Sequence, residues 1–250
     1  MKAFILAAGL GTRLRPLTAT VPKILVPVLG VPMLDRLAAG LARWGVGQLA
    51  LNTHHLAEDV QRRVAALEQR GGPPAFRCFH EPELLGTGGA LVHIAPFWDS
   101  DVLLWNGDVL ADADVAGLLA AHRAGGALAT LLLSGRAASS RFQVDATGVL
   151  CGIDSPRRGD RRLVATPTGA PRSRAYHGIA VLAPALLPRI ARPGAFDLVE
   201  ALLEVAAQGG RIGSYDAGDG FWGTSGSPAE LAALEQGLRE RPTLLAHFTP

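Results

Sequence analysis

Short apolar runs alternate with helical stretches through the first half of this chain, and that alternation admits few folds. Ala3–Ala8, Gln48–Asn52, Ala75–His80, Val102–Trp105 and Leu128–Leu133 read as strands. Between them, Met33–Trp44 reads as a helix after Pro32, ended by Gly45, and Leu56–Arg70 as a helix stopped by Gly71-Gly72. Gly88–Ile94 and Val115–Ala124 continue the alternation. Helices between apolar strands imply an α/β fold with a mainly parallel sheet and right-handed crossovers. Ligands of such sheets lie at the carboxyl ends of the strands.

The second half reads differently. Arg141–Val149 looks like a strand leading to a turn at Gly148, with Leu150–Ile153 as its hairpin partner. Residues 154–175, rich in Arg, Pro, Gly and Ser, are expected to form a mobile loop. Ala180–Leu182 resumes a buried strand, Leu198–Gln208 reads as a helix and Arg211–Tyr215 as a late strand. Ser227, with Glu230 three residues on, caps an expected helix over Pro228–Arg239. The expected organisation is one domain over 1–250: a core (1–133), a lobe that returns to the sheet (134–227), and a terminal helix and tail (228–250).

Chemistry concentrates where the first strand ends. Leu6-Ala7-Ala8 runs into Gly9-Leu10-Gly11-Thr12-Arg13, and Pro22-Lys23 follows. Glycines let the backbone turn sharply and present bare N–H groups to an anion. Arg13 adds a forked donor suited to phosphate oxygens, and Lys23 a mobile point charge. A Walker loop is excluded because the lysine does not follow a glycine, and a dinucleotide fingerprint because Leu14 stands at the third glycine position. Lysine occurs only at positions 2 and 23, so Lys23 stands out in a chain that otherwise uses arginine. A second anchor, Asn106-Gly107-Asp108, follows the fourth strand. Its carboxylate is of the kind that a hard dication bridging triphosphate oxygens requires, although the same triplet is also good turn chemistry. The third is Glu81-Pro82-Glu83-Leu84-Leu85-Gly86-Thr87-Gly88-Gly89. Glu81 and the backbone of Gly86–Gly88 suit a nucleobase edge; the plainer alternative is a loop whose Thr87 caps a helix.

Composition narrows the classes. A formal net charge of +2 over 250 residues offers no general nucleic-acid surface. No apolar run is long enough to span a bilayer or to serve as a secretory signal, so a cytoplasmic chain without membrane partners is expected. Cys78 and Cys151 lack metal-ligand spacing and read as two buried free thiols. The adjacent His54 and His55 read as structural, and Trp44, Trp98 and Trp105 as core.

The string from Leu6 to Val28, with Arg13, Pro22 and Lys23, resembles the signature of the sugar-phosphate nucleotidyltransferases. The closest likeness is to compact bacterial enzymes acting on mannose, heptose or N-acetylmuramic acid 1-phosphates. The resemblance covers residues 1 to about 133 well and the rest loosely. It implies a Rossmann-like sheet with helices on both faces and a small antiparallel lobe over the sugar. It implies transfer of a nucleoside monophosphate from a triphosphate to a sugar 1-phosphate, with magnesium as cofactor. Leu6, Ala8, Gly9, Gly11, Thr12, Arg13, Glu81, Gly86, Thr87 and Gly88 would then bind the nucleotide, and Lys23, Asn106 and Gly178 the sugar phosphate. Arg13, Lys23 and Asp108 would be catalytic, with Asp108 on the metal. Leu85-Gly86-Thr87-Gly88-Gly89 resembles the guanylyltransferase version of the base loop; a uridylyltransferase remains the alternative. One departure stands out: where the family carries a second metal aspartate, Phe221-Trp222-Gly223-Thr224 places Thr224. Three alternatives stay open: magnesium tolerates one carboxylate when phosphates and waters complete its octahedron, Asp216 or Asp219 reaches the ion instead, or the chain binds its ligands without turnover, as a regulatory protein. The family's Glu-Lys-Pro element is also missing between Leu150 and Ala175.

Overall fold

In the computed structural model, residues 1–155 and 159–250 are described. In chain order the elements run β1 (Lys2–Leu6), β2 (Pro27–Val28), β3 (Val31–Pro32), α1 (Met33–Arg43), β4 (Gln48–Thr53), α2 (Ala57–Gln69), β5 (Ala75–His80), α3 (Gly86–His93), β6 (Val102–Asn106) and β7 (Val109–Ala111). Then follow α4 (Val115–Gly125), β8 (Ala129–Ser134), β9 (Arg141–Val144), β10 (Leu150–Ser155), β11 (Asp160–Leu163) and β12 (Arg172–Leu182). The chain closes with α5 (Leu187–Ile190), α6 (Leu198–Ala207), β13 (Ile212–Asp216), β14 (Trp222–Thr224), α7 (Pro228–Arg239) and α8 (Pro242–His247). The class is α/β, as the alternation of runs predicts.

Two compact units divide these elements. The first comprises Met1–Leu84, Leu104–Asp112 and Phe221–Pro250. In it β1 pairs in parallel with β4, and β4 in parallel with β5. Helix α1 forms because Leu34, Leu37 and Leu41 recur at helical spacing and are fully buried. Gly45, at φ +83°, ends it. Each such leucine contributes roughly 2 kcal/mol of burial. Trp105 is buried, its ring 5.3 Å from that of the half-buried Trp44, and its indole N–H donates to the Val109 carbonyl at 2.9 Å. Sequence reading misses α8, a short helix with no apolar period. It is held by packing: the Phe248 ring lies where a side chain on Gly40 would stand.

The second unit comprises Leu85–Leu103 and Ala113–Gly220. Here β13 pairs in parallel with β8, and β12 antiparallel with both β8 and β9. Strands β9, β10 and β11 form an antiparallel meander, the small antiparallel element the resemblance implies. The loop expected over 154–175 is largely replaced by β11 and the start of β12; residues 156–158 lie outside the described residues. Polar sequence disguises these strands, since β11 is held by pairing with β10 and the start of β12 by pairing with β9. Trp98 is buried, as expected. Cys151 is buried but Cys78 is only half-buried, because β5 is an edge strand; both are free. Among the described residues no helix is long and apolar enough to cross a membrane.

Candidate active site

The site of the first unit is built where β1 and β6 end. Gly107 N–H donates to the Leu6 carbonyl at 3.0 Å, which ties the Asn106-Gly107-Asp108 turn to the end of β1. A Cβ at position 107 would lie 2.6 Å from that carbonyl oxygen and 2.8 Å from Ile24, so only glycine fits the approach. Beyond Leu6 the chain leaves Ala8 and Gly9 in an open turn. At Gly11, φ is +62°, and Thr12–Leu14 makes one 3-10 turn. Thr18 Oγ1 donates to the Gly11 carbonyl at 2.7 Å and holds the loop's far side.

Lys23 runs its aliphatic stem past Gly9 and ends on Asp108, Nζ to Oδ2 2.5 Å. The two side chains are only 20% and 19% exposed. Arg13 is different: its side chain is 65% exposed and meets Glu230 at 3.3 Å. Gly226 gives that pair room, since a Cβ there would lie 2.6 Å from the guanidinium and 2.8 Å from the carboxylate. Glu230 was legible only as a cap residue in the sequence; Ser227 Oγ does accept from Glu230 N–H at 3.3 Å, as expected, while the side chain goes to Arg13.

Beside Asp108, β7 and β14 pair antiparallel with Thr224 opposite Val109, and Ser225 N–H donates to the Asp108 carbonyl at 2.8 Å. The neutral Thr224 thus lies close in backbone to Asp108, across from Val109. Ser225 is fully buried, and its hydroxyl has no hydrogen-bond partner. Asp108 is a hard oxygen donor, which suits a magnesium-type ion. It carries a single negative charge, and among the described residues no group of three or more His, Cys, Asp or Glu is assembled for a metal. A lone carboxylate fits an ion that arrives with phosphate oxygens of its own, and not one held by protein alone. Asp216 and Asp219 belong to the second unit, where Asp216 pairs with Arg174 at 3.5 Å.

Glu81, the first residue after β5, is 1% exposed. Its Oε1 accepts from Asn52 Nδ2 at 2.7 Å, its N–H donates to the Thr53 carbonyl, and its own carbonyl meets His54 Nδ1 at 2.8 Å. His55 Nε2 meets the Thr18 carbonyl at 3.2 Å, so the two histidines serve different loops. Sequence reading missed Asn52, whose only signal is a polar residue ending an apolar strand.

The remaining expected residues lie in the second unit. Thr87 does not cap its own helix. It sits inside α3, and its hydroxyl accepts from Leu198 N–H at 2.8 Å, serving the start of α6. Gly86 and Gly88 are packed against Phe196: a Cβ on Gly86 would lie 2.6 Å from the Phe196 carbonyl oxygen, and Gly88 N–H donates to that oxygen at 2.9 Å. Gly178, at φ +75°, lies where the β12–β8 register shifts between Tyr176 and Ala180. Beside it, His177 Nε2 meets Ser134 Oγ at 2.7 Å. Burial, helped by the Arg136 charge, pushes the His177 imidazole down to about 4.

A family model described as nucleotidyl transferase matches residues 2–148. The chain belongs to the nucleotidyl transferase family. Among curated members it is 35% identical over 142 residues to a UTP–glucose-1-phosphate uridylyltransferase of Synechocystis, covering 53% of this chain and 37% of that one. It is 32% identical over 235 residues to the mannose-1-phosphate guanylyltransferase catalytic subunit beta of Danio rerio, covering 92% of this chain and 62% of that one. The chain thus spans less than two thirds of the length of these relatives. Among solved structures, a putative glucose-1-phosphate thymidylyltransferase from Bacillus anthracis shares the family fold, with a TM-score of 0.78, 20% identity and 96% of each chain covered.

Proposed function

We propose that this chain transfers a nucleoside monophosphate from a triphosphate to a sugar 1-phosphate, releasing pyrophosphate. The observation that carries the reading is the Lys23–Asp108 contact directly beside the glycine-rich turn. A cation and a carboxylate held together there are what a triphosphate and its dication would separate. In the reaction an oxygen of the sugar phosphate attacks the α-phosphorus in line, the α–β bridging bond breaks, and the pyrophosphate carries the electron pair away. Little covalent help is needed, so positioning and charge neutralisation dominate. Arg13 exchanges Glu230 for the β- and γ-phosphates. Lys23 turns from Asp108 to the phosphates at the reacting centre. Asp108, with Thr224 and Ser225 beside it, would hold a magnesium ion, which supplies charge neutralisation on the triphosphate when bound.

Guanine is the favoured base. A carboxylate at Glu81 accepts from the N1 and N2 hydrogens, which uracil does not offer as a pair, and burial makes an unmatched edge costly. Asn106 is assigned to the sugar phosphate by resemblance. Mannose or heptose 1-phosphate is the favoured acceptor. The test is pyrophosphate release from GTP, UTP, CTP and dTTP against a panel of sugar 1-phosphates, with calorimetric titration of each triphosphate. Tighter UTP binding assigns the chain to the uridylyltransferase reading. Thr224 favours one second reading, a nucleotide-binding protein without turnover. Tight triphosphate binding with no pyrophosphate release from any pair identifies it.

A further inference from the structure

Asn52 is the last residue but one of β4, whose parallel neighbours are β1 on one side and β5 on the other. Its side chain reaches past the ends of both. Oδ1 accepts from the N–H of Ala7, the first residue beyond β1, at 2.7 Å. Nδ2 donates to Oε1 of Glu81, the first residue beyond β5, also at 2.7 Å. The residue is 3% exposed. The two ends of an amide have opposite polarity, so a backbone donor on one side and a carboxylate on the other admit one orientation of it. A hydrogen bond to a carboxylate is shorter and stronger than one between neutral groups. One buried side chain therefore links the start of the phosphate loop to the carboxylate of the base loop.

We propose that Asn52 is a positioning residue that sets base choice by fixing the Glu81 carboxylate relative to the phosphate loop. This rests on the reading in which Glu81 meets the base. Base discrimination then depends on the donor face of Asn52, and grip on the phosphates on its acceptor face. The two faces separate by substitution. Asn52→Asp keeps an acceptor for Ala7 N–H but turns a like charge toward Glu81, which disturbs that carboxylate alone.

The experiment is calorimetric titration of the folded chain with GTP, UTP and inorganic tripolyphosphate, for wild type, Asn52→Asp, Glu81→Gln and the double variant. Asn52→Asp is expected to lower the GTP-over-UTP preference about tenfold or more and to leave the tripolyphosphate Kd within about twofold, since its acceptor face is kept. In the double variant the new carboxylate accepts from the new amide. The hydrogen bond re-forms with reversed polarity, so Tm recovers toward wild type while the GTP preference stays lost. An unchanged base ratio in Asn52→Asp, with a changed ratio in Glu81→Gln, overturns the role of Asn52 and leaves the base reading intact. An unchanged ratio in Glu81→Gln overturns both. Parallel loss of tripolyphosphate and both nucleotides in Asn52→Asp reduces Asn52 to a structural residue and overturns the proposal.

Discussion

The charges beside the glycine-rich turn of the first unit and the turn carboxylate Asp145 of the second are held in opposite ways. In the first, Arg13, Lys23 and Asp108 each have one ion-pair partner, and Arg13 stands mostly in solvent. In the second, Asp145 is 5% exposed and its carboxylate accepts from Thr147 N–H, Thr147 Oγ1, Val149 N–H and Thr168 N–H at 2.8–3.1 Å. Burial alone would push that carboxyl up, but these hydrogen bonds outweigh it and hold it at about 2. A charge that must be surrendered to a ligand is left with a single, exchangeable partner. A charge that fixes a turn is surrounded. The geometry thus separates the residues proposed to bind from those that shape the lobe around β9 and β10.

The comparison breaks first at Arg13. If its guanidinium serves the triphosphate, Arg13→Ala lowers kcat by roughly 10²-fold or more with Tm unchanged, as for loss of a preorganised donor. Steady-state rates and a thermal melt check this together; near-normal turnover would end the assignment. The reverse pattern is expected at Asp145. Asp145→Ala strands several backbone donors and costs roughly 3 kcal/mol of stability, read by denaturant unfolding, while the triphosphate affinity of the first unit stays close to wild type.

Acid sharpens the same contrast. His177 has a folded-state value of about 4, below its ordinary 6.5, so the unfolded chain takes up the proton first. Stability is complete above pH 6.5 and falls as the pH drops toward 4, by on the order of 3 kcal/mol. The folded value of Asp145 is lowered too, so its contribution persists above about pH 4 and is lost toward pH 2. Melting temperature measured from pH 7 to 4 should decline in wild type and flatten in His177→Gln; an unchanged slope would refute the role of His177.

Smaller effects are expected at Thr224 and Glu230. Thr224→Asp adds the missing charge beside Asp108 and should raise magnesium affinity about tenfold, with nucleotide and metal binding coupled reciprocally. Magnesium titrations with and without nucleotide measure this; no gain in affinity or turnover would mean that position 224 does not face the ion. Glu230→Gln removes only a half-exposed partner of Arg13. It should change stability by less than about 0.5 kcal/mol and, if anything, strengthen tripolyphosphate binding at low salt.

Much of the first unit was legible because its elements obey local rules. Leu34, Leu37 and Leu41 keep a helical period, Gly45 ends the helix, and Ser227 caps α7. The glycine-rich turn, Arg13, Lys23 and Asp108 could be nominated because each carries its chemistry in its residue type. What the sequence did not contain was the choice of partner. Glu230 on Arg13, Asn52 between Ala7 and Glu81, and Phe196 against Gly86 and Gly88 each join residues far apart in the chain. No local propensity encodes such a distance. Strands β11 and the start of β12 escaped for a related reason: Asp160–Leu163 and Arg172–Arg174 have no apolar alternation and are strands only because β10 and β9 offer them a backbone. Residue type and period therefore determined the α/β class by themselves and were enough to nominate the phosphate-binding chemistry. Only the tertiary structure decided which charges are exchangeable and which are fixed, because burial and hydrogen-bond partners are properties of the packed chain.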